Sequence, residues 1–127
     1  MRFLGTRIHG VLDYVVALVL ITAPWALGYS FKGAETWVPV LLGAFTAVYS
    51  LMTDYEMGAS RVISMRTHLL LDLLSGVLLA ASPWLFNFHE YVYLPHVVLG
   101  ITEIVVSLIT KTHPLNEKQV HSATAGR

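Results

Sequence analysis

The stretch RVISMRTHLLLDLLSGVLLAASPW, Arg61 to Trp84, repeats RFLGTRIHGVLDYVVALVLITAPW, Arg2 to Trp25, at a shift of 59 positions. The shift places Arg61 on Arg2, Arg66 on Arg7, His68 on His9, Asp72 on Asp13, Pro83 on Pro24 and Trp84 on Trp25. Matches at chemically costly residue types, all at one offset, mark a tandem duplication, which sets the architecture before any single motif does. The apolar segments that follow the two copies align at an offset of 57, with Gly43 on Gly100, Ser50 on Ser107, Leu51 on Leu108 and Thr53 on Thr110. The repeating unit is therefore a helical hairpin. Repeat 1 covers about residues 2–56, repeat 2 about 61–112, and a polar tail of about 113–127 is expected to be flexible.

Composition places the hairpins in a bilayer. Of the 127 residues, 55% are hydrophobic and 13% charged, and mean hydropathy is +0.63, whereas soluble domains carry about 25% charged residues. Four apolar segments approach membrane-spanning length: about Ile8 to Leu27, Trp37 to Thr53, His68 to Phe86 and Val92 to Thr110. The expected fold is all-α, a single membrane domain over residues 1–127 with four transmembrane helices as two tandem parallel hairpins. Gly28 and Asn87 follow the first and third spans, as suits residues that tolerate the left-handed end of a helix. Pro39 and Pro95 fall in the expected first turns of the second and fourth, where a missing N–H costs little. The connection from Met57 to Thr67 carries a weak signal for a short interfacial helix.

Arg2 and Arg7 ahead of an apolar run imitate a secretory signal. The same pattern recurs at Arg61 to Trp84, and the run is too long, so we read a span instead. Basic residues gather at the amino terminus, the central connection and the tail, with only Lys32 on the other side. The positive-inside rule then predicts a multi-pass protein of the inner (cytoplasmic) membrane with both termini in the cytoplasm. Net charge is formally zero and the basic residues are scattered, which argues against nucleic acid. Without cysteine there is no disulfide, thiolate metal site or thiol redox chemistry.

The segments Ala23-Pro24-Trp25 and Ser82-Pro83-Trp84, each late in the first helix of a two-helix repeat, resemble the SPW-repeat family of small prokaryotic membrane proteins. The resemblance runs over about Arg7 to Thr110. It implies the fold and a bilayer location, and it transfers no catalytic residue. The first copy has Ala23 where the motif has serine, so a role for the Ser82 hydroxyl is not shared by both halves.

Pro24 and Pro83 each forfeit one helical hydrogen bond and free the carbonyls of Leu20 and Leu79, which need other partners inside lipid. Trp25 and Trp84 suit headgroup depth. His9 and Asp13, like His68 and Asp72, are four apart and share a helix face. That face continues through Ala17 in one copy and Gly76 in the other, small residues that predict close approach of spans one and three at the repeat interface. Two histidines and two aspartates would then converge, with Arg7 and Arg66 in range as counter-charges. Glu103 lies mid-span, where its counterpart at the offset of 57 is Thr46. It is expected either to be protonated and hydrogen-bonded or to face a wet cavity. His96 shares its face, nearer the outer end, and reads as interfacial.

The leading functional reading is a non-enzymatic structural or accessory subunit with a buried His/Asp network. Its partners are the bilayer and either further copies or a larger membrane complex. One alternative is a proton- or cation-translocating element using Asp13, Asp72, His9, His68 and Glu103. The other is a metal-dependent membrane enzyme. The sequence requires no cofactor, and a divalent metal on the two histidines and two aspartates is the candidate it offers.

Overall fold

A computed structural model of the chain describes residues 1–113. It contains α1 (Thr6–Ala26), α2 (Ala34–Leu51), α3 (Met65–Leu85) and α4 (Leu94–Ile109). The expected tail from residue 114 onward lies outside the described residues. Helices α1, α2 and α3 are long and apolar enough to cross a bilayer, and α4 is an apolar helix of 16 residues, about 24 Å long. The distribution of side chains is that of a membrane bundle. Buried positions include Thr6, His9, Asp13, Thr46, Ser50, Asp72 and Ser107, while Leu18, Leu41, Leu74 and Val105 lie exposed.

The ends of α1 and α3 follow from their sequences. Gly28 has φ 77° and Asn87 φ 58°, the left-handed residue that closes a helix. The amide of Tyr29 donates to Pro24 O, and that of Phe88 to Pro83 O, each at 2.8 Å. Tyr29 is buried by this turn. At its start α3 is capped by Ser64, whose Oγ accepts from the Thr67 amide at 3.2 Å.

Two of the helix prolines, Pro39 and Pro83, are accommodated by specific donors. Helix α2 begins at Ala34, ahead of the expected Trp37, so Pro39 sits beyond the first turn and frees the carbonyl of Glu35. His96 of α4 donates Nε2–H to that carbonyl at 2.9 Å. His96 is buried between the rings of Tyr29 and Phe88 in the first turn of α4. Pro83 frees Leu79 O, which accepts from the Ser82 hydroxyl at 2.6 Å. Ser82→Ala is therefore expected to cost about 1–3 kcal/mol, the penalty for an unsatisfied buried acceptor. Thermal unfolding in mild detergent checks this, and an unchanged midpoint would show that Leu79 O has another donor.

Small residues close each hairpin. A Cβ added at Gly43 would lie 2.8 Å from Ala17 O, and one at Gly76 2.8 Å from Gly100 O. The expectation that Ala17 and Gly76 bring spans one and three together is thus corrected. Close backbone approach occurs between α1 and α2 and between α3 and α4, whereas α1 and α3 do not pack backbone to backbone. Long polar side chains span the gap between them.

The hairpins are also stitched at their ends. Parallel bridges pair Leu4 with Thr110 and Ile63 with Thr53, positions related by the offsets of 59 and 57. Lys111 N–H donates to Leu4 O at 2.8 Å and Asp54 N–H to Ile63 O at 2.7 Å. Each repeat's second helix thus ends against the segment that leads into the other repeat's first helix, the reciprocal arrangement a two-fold produces. Arg2 adds Nη1 bonds to Ser107 O (2.9 Å) and Thr110 O (2.7 Å), capping α4. The bridge and turns between α2 and α3 take the place of the interfacial helix expected there.

Candidate functional site

Because His9 and Asp13 are one turn apart on α1, and His68 and Asp72 on α3, each helix presents an imidazole and a carboxylate together. The two pairs meet. His9 Nε2 lies 3.0 Å from Asp13 Oδ1 and 2.8 Å from Asp72 Oδ2. His68 Nε2 lies 3.0 Å from Asp13 Oδ2 and 3.1 Å from Asp72 Oδ2. All four residues are at most 6% exposed. One candidate ligand atom from each falls within 4.8 Å of all the others.

The outer faces of the rings are held symmetrically. His9 Nδ1 lies 2.7 Å from Thr110 Oγ1, and His68 Nδ1 2.7 Å from Thr53 Oγ1. Both hydroxyl hydrogens are already committed: Thr110 donates to Val106 O and Thr53 to Tyr49 O, each at 2.6 Å. The threonine oxygens therefore accept, and Nδ1 carries hydrogen in both rings. That assignment follows from the hydrogen-bond pattern. Both Nε2 atoms then face carboxylates. A bare lone pair facing an ionised carboxylate would repel it, so these contacts need a proton between nitrogen and oxygen, or one divalent cation bound by both kinds of group.

The carboxylates have further donors. Tyr49 donates to Asp72 Oδ1, and Tyr55 donates to Asp13 Oδ2 at 2.9 Å. Burial, and then the charge of Asp13, push the Tyr55 phenol up from its ordinary pKa, which keeps it a donor. Arg7 and Arg66 do not serve as the expected counter-charges. Both are exposed, and the ion pairs at Asp13 and Asp72 come from imidazoles. The reason is geometric: a residue two positions before each histidine leaves the inward face of the helix.

Glu103 lies beside this cluster, 8% exposed, with neither carboxylate oxygen hydrogen-bonded among the described residues. It faces a cavity of about 90 Å³ whose lining includes His9, Asp13, Thr46 and Asp72. The expected hydrogen-bonded neighbour is absent among the described residues, and the walls of the cavity are largely apolar. Thr53 and Thr110 were visible in the sequence as a matched pair, although nothing there tied them to histidines. Tyr49 and Tyr55 carried no repeat signal, since Val106 and Thr112 stand at their counterparts.

A family model described as the SPW repeat domain matches residues 7–110. The chain belongs to the SPW repeat family. Comparison with curated proteins and with solved structures finds no match. In this SPW repeat protein, Pro24 and Pro83 are buried and Trp25 and Trp84 are 57% and 52% exposed. The motif and the His/Asp cluster occupy opposite ends of the same helices, about 24 Å apart along the axis for the 16 residues from His9 to Trp25. The SPW motif therefore shapes helix ends at one bilayer face, while the cluster sits toward the other. The protein is a small membrane protein with a buried His/Asp network.

Proposed function

We propose that the protein is a non-enzymatic structural or accessory subunit in which the His9/Asp13/His68/Asp72 cluster clasps the two hairpins. The observation that carries this is the reciprocity of the contacts. His9 of repeat 1 reaches Asp72 and Thr110 of repeat 2, while His68 reaches Asp13 and Thr53 of repeat 1. Asp13 and Asp72 are each held by two imidazoles and one tyrosine. Such saturation suits a fastening better than a reacting centre. The distribution of basic residues supports a multi-pass arrangement in the inner membrane with both termini in the cytoplasm. The outward apolar faces of the helices leave surface for lipid and for a neighbouring subunit. Solubilised from its native membrane in mild detergent, the protein is expected to migrate as an assembly larger than one chain. Migration as a lone 14.1 kDa chain plus its micelle would sink the accessory reading.

A second reading, a divalent cation inside the clasp, is favoured by one observation. Among the described residues His68 Nε2 makes no hydrogen bond in spite of two carboxylate oxygens at 3.0 and 3.1 Å. Separations near 3 Å approach the edge of about 3.3 Å in a tetrahedron with bonds of about 2.0–2.1 Å. Imidazole with carboxylate suits zinc, manganese or iron. Elemental mass spectrometry on protein purified without chelators separates the two. About one metal per chain, lost in His9→Ala/His68→Ala, supports the cation; its absence supports the protonated clasp.

A further inference from the structure

The two halves of the bundle differ where the duplication has diverged. In repeat 1, Phe45 and Tyr49 form an edge-to-face pair, centroids 5.1 Å apart at 72°. Tyr49 stands edge-on to His68 at 4.9 Å and 78°, and its hydroxyl donates to Asp72 Oδ1. At the offset of 57 the counterparts of Phe45 and Tyr49 are Thr102 and Val106. Both are smaller, neither carries a ring, and both line the cavity of about 90 Å³ beside Glu103. The helices follow suit, since α1 and α4 touch less than α2 and α3 do.

The polar groups around this cavity carry the same asymmetry. Asp72 takes its phenolic donor, Tyr49, from α2 at Oδ1, whereas Asp13 takes Tyr55 from the connection after α2 at Oδ2, and among the described residues its Oδ1 meets His9 Nε2 alone, at 3.0 Å. The Thr46 hydroxyl lies 3.4 Å from Tyr49 OH, and the residue at the matching position is Glu103. Glu103 is more than nine-tenths buried, and its carboxylate has no hydrogen-bond partner among the described residues. Leu12, Val16 and Val106 supply apolar walls, and the cavity reaches Thr102, an exposed mid-helix residue at lipid depth.

We infer that the cleft between α1 and α4 is a binding site for a lipid-soluble phenol, whose ring and hydroxyl occupy the places that Tyr49 occupies in the other half. The ring lies against His9 as Tyr49 lies against His68. The hydroxyl donates to Asp13 Oδ1, and its oxygen accepts from Glu103 in its carboxylic-acid form, as the Tyr49 oxygen accepts from Thr46. The internal repeat is the template: the protein already holds a phenol in this geometry, supplied by its own chain. Three carboxylates around the cavity disfavour a lipid phosphate, and the apolar walls disfavour a purely hydrated site. The inference needs the membrane location, not the identity of the charge inside the clasp. Its chemistry is shared by a tailed hydroquinone of the bilayer and a small free phenol.

The test uses the full chain in lipid nanodiscs, with p-cresol (the side chain of tyrosine), 2-decylhydroquinone and toluene as probes. Saturation-transfer NMR reads binding. The wild type is expected to bind at least one hydroxyl-bearing probe, and toluene at least tenfold more weakly. Val106→Tyr, which supplies the second ring from the chain, is expected to abolish binding. If that variant does not fold, Thr102→Phe narrows the same cleft and serves in its place. Glu103→Leu is expected to weaken binding tenfold or more while leaving the thermal midpoint unchanged or raised. Tighter binding of 2-decylhydroquinone than of p-cresol assigns a membrane hydroquinone; equal or weaker binding assigns a small phenol. Binding of neither phenol, equal binding of toluene, or undiminished binding by Val106→Tyr would each overturn the inference.

Discussion

Asp72→Ala is expected to destabilise the protein by about 3–5 kcal/mol, the range for breaking a buried ion pair from one side. The change removes the acceptor of His9 and an ion-pair partner of His68 and strands the Tyr49 hydroxyl, all in a buried region. Asp72→Asn keeps the shape and one acceptor oxygen but loses the charge that faces two imidazoles, so its loss should be intermediate. Thermal or denaturant unfolding in mild detergent, with helix content read by circular dichroism, measures both. A loss under about 1 kcal/mol for Asp72→Ala would fall in the range of exposed ion pairs and would contradict a clasp.

Gly100→Val should be comparably severe for a different reason. A Cβ at this position would lie 2.6 Å from Ala80 N and 2.7 Å from Gly76 O. Both are backbone atoms of α3 and cannot swing aside, so α4 must move away from it. Overpacking of this kind costs about 1–3 kcal/mol when side chains relieve it, and backbone contact puts Gly100→Val at the upper end or beyond. Gly5→Ala is the control, since nothing lies within 4 Å of its added Cβ, and it should leave the midpoint within about 0.5 kcal/mol of wild type. Equal stability of the two variants would mean that α3 and α4 are not in close contact at Gly100.

Much of the fold was legible because duplication writes a structural constraint twice. Gly28 and Asn87 share no chemistry except tolerance of positive φ, and their matched positions marked two helix ends that both take that conformation. His9/Asp13 and His68/Asp72 announced one inward face per repeat. What failed to show was the partner of each group. Periodicity gives the face of a helix but not the residue opposite, so Ala17 and Gly76 were assigned to the repeat interface when they close hairpins instead. The start of α2 was placed late because the polar segment ahead of Trp37 hid a turn in which Glu35 Oε1 accepts from Gly33 N–H at 2.8 Å. That shift alone moved Pro39 out of the first turn and gave His96 its role as donor to Glu35 O. Sequence proximity points to Arg7 and Arg66, whereas the carboxylates are met across the pseudo-axis by imidazoles. Tyr49 and Tyr55 could not be found by repeat comparison because they are where the halves differ, and the same divergence opens the cavity at Glu103.

The claim on which the rest depends is that the His/Asp cluster couples repeat 1 to repeat 2. A double-mutant cycle on His9 and Asp72, whose Nε2 and Oδ2 are 2.8 Å apart across the two repeats, tests it most directly. His9→Ala, Asp72→Ala and the pair are each compared with wild type in unfolding experiments. A clasp predicts strong non-additivity, with the double variant recovering about 1–3 kcal/mol relative to the sum of the singles. Additive losses within about 0.5 kcal/mol would mean that the two residues stabilise their own hairpins independently, and that the repeats are held together by something else.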